Sequence, residues 1–171
     1  MVVWLLGISG AGKTTVGLEL RKRLRNSYML DGDEIRALFE NDLGYTAADR
    51  EANIKRIILA AYALDKNGVC AIVCNISPFR KLRDICRKKI EGYNEIYLKK
   101  ELGRSMDRDV KQVYAQNTGK SDIIGIDIAF EEPESPDLVL ETDKLSLGET
   151  VERVLVYIKD KYGTESINGQ I

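Results

Sequence analysis

The chain has 171 residues, with 26 basic against 27 acidic side chains, no histidine and three cysteines. That length suits a single domain with a full core, and the balanced charge lacks the basic excess of a protein that lives on nucleic-acid phosphates, so a small-molecule partner is expected. Without histidine a Ser-His-Asp triad is excluded and a zinc site is disfavoured.

An apolar run, Val2 to Leu6, reads as a first strand. It is too short for a membrane span or a signal segment, so no membrane partner is expected. A helix is predicted from Lys13 to about Arg25, then a short strand over Ser27–Leu30 that ends at Asp31-Gly32-Asp33. Glu34–Asn41 reads as a short helix. Thr46-x-x-Asp49 opens a long helix to about Asn67, with Ile54, Ile57, Ile58, Ala61 and Leu64 on one face. Val69–Cys74 is a continuous apolar strand of the buried type. Cys70 and Cys74 fall on one face of it and read as core, and an odd cysteine count reads as reduced and cytoplasmic. Ser77-Pro78 suits an N-cap and first turn of a helix running to about Glu91. Glu95–Leu98 is the next strand and Glu101–Arg108 a short helix. Asp109–Glu134 is long and polar, the profile of a lid. Leu138–Glu141 is the last strand, and Ser146-x-x-Glu149 caps a terminal helix to about Tyr162. The tail, Gly163–Ile171, is expected to fray. Strands alternating with helices give an α/β domain with a parallel sheet flanked by helices, over residues 1–162.

Gly7-Ile8-Ser9-Gly10-Ala11-Gly12-Lys13-Thr14-Thr15 fits G-x-x-x-x-G-K-[ST], and it sits between a strand and a helix as that phosphate-binding loop requires. Its glycines let backbone N–H groups turn toward a polyphosphate, and the helix N-terminus adds partial positive charge. Lys13 can reach the β- and γ-phosphates of ATP, and the Thr14 hydroxyl can ligate Mg2+. Ligands of open α/β sheets lie beyond the carboxyl ends of the strands. There Asp31 and Asp33 can hold a hydroxyl nucleophile or order a Mg2+ shell, or form an ordinary turn with Asp33 capping a helix. Asn75-Ile76-Ser77-Pro78 follows the buried strand. Arg108 and Lys111, in the lid, can stabilise a transferring phosphoryl group. Arg36, Arg50, Asn53 and Arg56 form a basic and amide cluster whose guanidinium forks suit sulfate or phosphate oxygens.

The strings GISGAGKTT, DGDEIR, DLGYTAADREANIKRI, ISPFR, RDVK and GIDIAFEEPESPDLVLET resemble the adenylyl-sulfate kinase family over about residues 2–158. The resemblance implies a P-loop kinase of nucleotide-monophosphate-kinase-like fold that phosphorylates the ribose 3′-OH of a nucleotide with ATP. It implies that Asp33 is the base or orienting group, and that Lys111 lies in the lid. It also implies that Arg36, Arg50 and Asn53 hold the acceptor with help from backbone around Ile76 and Ser77, and that the chain can form a homodimer. In some members the serine matching Ser77 has been proposed as a phosphorylation site. Two departures stand out. The chain reads Lys111-Gln112-Val113-Tyr114 where the family has K-G-L-Y, and Ile123-Ile124-Gly125-Ile126 where it has F-T-G-I. The aromatic missing at Ile124 is expected to leave Tyr45 as the remaining stacking face for the acceptor base. Asn75 could then offer an amide to a base edge. Adenylyl sulfate is the first acceptor expected, and cytidine diphosphoramidate, used by a related branch, is the alternative. A GTP-operated switch is disfavoured because Thr142-Asp143-Lys144-Leu145 is not N-K-x-D. A non-catalytic nucleotide-binding module is disfavoured by the joint presence of Lys13, Thr14, Asp31 and Asp33.

Overall fold

A computed structural model describes residues 1–100, 124–125 and 127–167. The expected helix over Glu101–Arg108 and most of the expected lid, with Arg108 and Lys111, lie outside the described residues. The strands are β1 (Val2–Leu6), β2 (Ser27–Asp31), β3 (Cys70–Cys74), β4 (Tyr93–Lys99) and β5 (Leu138–Glu141). They form one sheet in the order β2-β3-β1-β4-β5, and every adjacent pair is parallel. The helices are α1 (Lys13–Arg23), α2 (Gly32–Leu38), α3 (Ala47–Lys66), α4 (Arg80–Lys89) and α5 (Leu147–Tyr162).

β1 is wholly buried, and its alternating side chains divide the core in two. Val3 and Leu5 join Cys70, Ile72 and Cys74 of β3 and pack under α1 and α5, through Val16, Leu20, Val154 and Ile158. Val2, Trp4 and Leu6 face the other way, with Ala71 and Val73, and pack under α3 and α4 through Ile57, Ala61, Leu82 and Cys86. Burial on both faces is why these strands read as continuous apolar runs.

Local chemistry sets most helix ends. Thr46 caps α3 by accepting from the Asp49 N–H, and Ser146 with Glu149 forms the full capping box of α5. Two expectations are corrected. Ser77 does not cap α4: that helix starts at Arg80, its N-cap Phe79 has no side-chain cap, and the Arg80 N–H is received instead by the Glu131 carboxylate. The short helix after β2 begins at Gly32 and not at Glu34, because Asp31 caps it. After α5, Thr164–Ser166 form a 3-10 turn, and Ile167 bridges Leu24 and packs against the core. Among the described residues no helix is long and apolar enough to cross a membrane.

All three thiols are buried and free. Burial pushes Cys70 up to about 11, and Cys74 and Cys86 up to about 12, from an ordinary 9.0. The folded chain therefore keeps thiol protons that the unfolded chain loses above pH 9. Each thiol's contribution is intact below pH 9 and is lost as pH rises toward 11 or 12, by up to about 1.4 kcal/mol per pH unit. We expect native protein at pH 8 to resist thiol alkylation and urea-unfolded protein to react at all three sites. Between pH 9 and 11, Cys86→Ala should lose urea stability less steeply than the parent chain.

Candidate active site

Three turns leave the carboxyl ends of β1, β2 and β3 and meet at one cavity of about 350 Å3. From the glycine-rich turn it is lined by Ser9, Gly10, Gly12, Lys13, Thr14 and Thr15. The turn after β2 adds Asp31 and Asp33, and the turn after β3 adds Asn75 and Ile76. Arg36, Tyr45, Arg50 and Asn53 close the far side. Among the described residues, four expected site residues stand apart from this lining: Gly7 and Ser77 are buried, Ala11 is buried and borders a second cavity, and Ile124 bridges Ile128.

The loop needs its glycines. Gly7 has φ +149°, and a Cβ there would meet the Leu98 carbonyl oxygen at 2.4 Å. Gly12 has φ +86° and serves as the N-cap of α1 without any side-chain cap, and no acidic residue follows in the first turn. The N–H groups of that turn are left to face an anion. Lys13 Nζ donates to the Gly7 and Ile8 carbonyls, at 2.9 and 2.8 Å. Burial pulls its pKa down from 10.5 to about 8, against the opposing fields of Asp31 and Asp33. Lys13 is half-buried, with its ammonium held against these two carbonyls at the mouth of the cavity.

The two aspartates have different work. Asp31 Oδ1 accepts the Asp33 N–H at 3.0 Å, capping α2, and Asp31 Oδ2 accepts from the Thr14 hydroxyl at 2.9 Å. Asp33 is exposed to the cavity, and among the described residues no hydrogen-bond or ion-pair partner takes its carboxylate. A carboxylate joined to a hydroxyl suits a hard cation that keeps several of its waters.

On the far side Arg36 is buried and donates to the Gly44 carbonyl at 2.6 Å. Its guanidinium carbon lies 4.6 Å from the Tyr45 ring centroid, and that of Arg50 lies 5.2 Å from the same ring. Arg50 Nε donates to the Tyr45 carbonyl at 2.9 Å. Asn53 is 1% exposed; its Nδ2 donates to the Gly32 carbonyl, while its Oδ1 has no partner among the described residues. Arg56 does not join this group. Both its Nη atoms bind Asp42, at 2.8 and 2.6 Å, and it covers Phe39. Asn75 is turned inward: its Oδ1 accepts from the Ser77 N–H at 2.9 Å and the Ser77 hydroxyl at 3.1 Å. That hydroxyl also receives Trp4 Nε1 at 2.8 Å, so a 1%-exposed, doubly bonded oxygen is not presented for modification.

Sequence reasoning missed a second cavity, about 270 Å3, behind the same loop. It shares Gly10, Gly12 and Thr15 with the first and adds Lys100, Thr142, Asp143 and Leu145. Lys100 Nζ donates to the Gly10 carbonyl at 3.3 Å. The available signal was positional: Lys100 and Thr142 follow the carboxyl ends of β4 and β5.

Comparison with known proteins points to one family. The family model described as adenylylsulphate kinase matches residues 1–141. The adenylyl-sulfate kinase of Halothermothrix orenii is 39% identical over 167 residues, 94% of this chain and 90% of that one. That of Staphylococcus carnosus is 36% identical over 169 residues, 94% and 85% of the two chains. The solved structure of the Mycobacterium tuberculosis APS kinase CysC in complex with AMPPNP and APS superposes with a TM-score of 0.78. It is 30% identical, over 92% of this chain and 96% of that one.

The division between the aspartates can be measured in urea. Asp31→Ala should lower stability by about 1 kcal/mol through the lost cap. Asp33→Ala, at an exposed carboxylate, should change it by under about 0.5 kcal/mol.

Proposed function

The chain belongs to the adenylylsulphate kinase family, and from that premise we propose that it transfers the γ-phosphoryl group of ATP to the ribose 3′-hydroxyl of adenylyl sulfate. The observation that carries this reading is a single cavity holding a phosphate loop at one end and two guanidiniums with a buried amide at the other. Asp33 faces the space between them.

In this reading the loop N–H groups and Lys13 hold the β- and γ-phosphates, and the second cavity takes the base of ATP. Thr14 and Asp31 would hold Mg2+, which supplies positive charge to the phosphate oxygens when bound. Arg36 and Arg50 bind the acceptor's sulfate and phosphate oxygens, and Tyr45 offers a ring to its base. Asn53 Oδ1 is an acceptor waiting for a ligand donor. Asp33 orients the 3′-hydroxyl and receives its proton. The hydroxyl oxygen bonds to the γ-phosphorus as the bond from that phosphorus to the β–γ bridging oxygen breaks, and ADP leaves. Lys13 is a half-buried cation held at the loop by the Gly7 and Ile8 carbonyls, where its charge can act on the transferring group. Arg108 and Lys111 complete the expected set over the transferring phosphoryl. No observation in the cavity favours the cytidine acceptor.

A coupled ADP-release assay comparing adenylyl sulfate, cytidine diphosphoramidate and simple nucleotides tests the acceptor. Adenylyl sulfate should give the highest kcat/KM, and a preference for cytidine diphosphoramidate would reverse the assignment. Asp33→Asn should lower kcat by at least ~100-fold with ATP affinity nearly unchanged. Lys13→Ala should remove most turnover while leaving the chain folded by circular dichroism.

A further inference from the structure

The acceptor cavity has one wall that is held from outside the cavity. Ile76 and Pro78 line it, and Ser77 between them has φ +52°. That left-handed conformation is disfavoured for a side chain with a Cβ, so it needs support. Every polar group of Ser77 is engaged. Its N–H and hydroxyl reach Asn75 Oδ1, its hydroxyl receives Trp4, and its carbonyl accepts from Arg83 Nη1 at 2.7 Å. Arg83 is 3% exposed and lies outside the cavity lining. Its other arm, Nη2, donates to the Glu131 carbonyl at 2.6 Å, and its counter-charge is the buried Glu95 carboxylate, 3.9 Å away. Glu131 then closes the loop. Its N–H donates to the Pro78 carbonyl at 3.1 Å, and its carboxylate takes the Arg80 N–H at the uncapped start of α4.

We propose that Arg83 and Glu131 are positioning residues for the acceptor: they fasten the Ile76–Pro78 wall to the segment entering β5 and hold Ser77 in its left-handed conformation. This rests on the acceptor reading above. Neither residue touches the phosphate loop, so the effect falls on the acceptor and spares ATP.

The test uses full-length chains. Arg83→Lys keeps a positive charge against Glu95, but a single ammonium cannot reproduce the fork that spans two carbonyls. It should raise the KM for adenylyl sulfate at least ~5-fold and leave the KM for ATP within about twofold. Glu131→Ala should raise the acceptor KM ~3-fold, and Glu131→Gln, whose amide oxygen still accepts from Arg80, should restore it. In the ligand-free chain, hydrogen exchange of the Ser77 amide should quicken at least ~10-fold in Arg83→Lys while α5 is unchanged. Equal rises in both KM values, or quicker exchange with an unaltered acceptor KM, would reduce the two residues to structural ties and overturn the proposal. If the parent chain does not turn over adenylyl sulfate, the acceptor reading has failed. Ser77 exchange then decides the tie alone, and an unchanged rate in Arg83→Lys overturns it.

Discussion

β1 lies in parallel register between β3 and β4, Leu5 opposite both Cys74 and Ile96, and Leu6 opposite Tyr97. β2 continues the register, with Asp31 opposite Cys74. Because the pairs are parallel, the turn with Lys13, the turn with Asp31 and Asp33, and the turn with Asn75 all emerge at one edge. The Thr14–Asp31 hydrogen bond joins two of those turns and exists only because the strands end level. A slip of one residue in β2 would turn Leu30 out of the core and Asp31 away from Thr14.

The Ile76–Pro78 wall of the cavity rests on a second constraint, a buried polar network built on Arg83 of α4. Arg83 and Glu95 are each about 3% exposed. Taking both charges out of water is expensive, and well-packed apolar residues would often be as stable there. A guanidinium fork, however, can grip two carbonyls from distant parts of the chain at once, which no apolar side chain does. Tyr93 adds its hydroxyl to Glu95 at 3.0 Å, and Arg87 lies 3.4 Å from the same carboxylate. The network therefore exchanges stability for a defined backbone path through Ser77.

Features set by local sequence were legible. The N-cap at Thr46 and the capping box at Ser146, the alternation that puts Cys70 and Cys74 on one face, and the loop from Gly7 to Thr15 follow from neighbours a few residues apart. What failed depended on distant partners. Ser77-Pro78 has the composition of a helix start, yet Asn75 and Trp4 take the serine, and the cap comes from Glu131, 51 residues away along the chain. Asp31 and Asp33 look alike in sequence. Only the position of Asp31 opposite Thr14 separates a capping and bridging carboxylate from one facing the cavity. Lys100 and Thr142 form no motif, since they meet only when β4 and β5 pair.

Arg36 and Arg56 show how partner choice decides function on adjoining elements. Spacing along α3 placed Arg56 beside Arg50 and Asn53. Two charge-assisted bonds to Asp42 make it half of a neutral pair, which pins the loop between α2 and α3 and adds little field at the cavity. Arg36 comes from the less promising short helix. Its Nη1 donates to the carbonyls of Leu43 and Gly44, and carbonyls orient a guanidinium without cancelling its charge. Burial against Tyr45 removes water from one side of it. Net positive charge is thus kept where the cavity can use it.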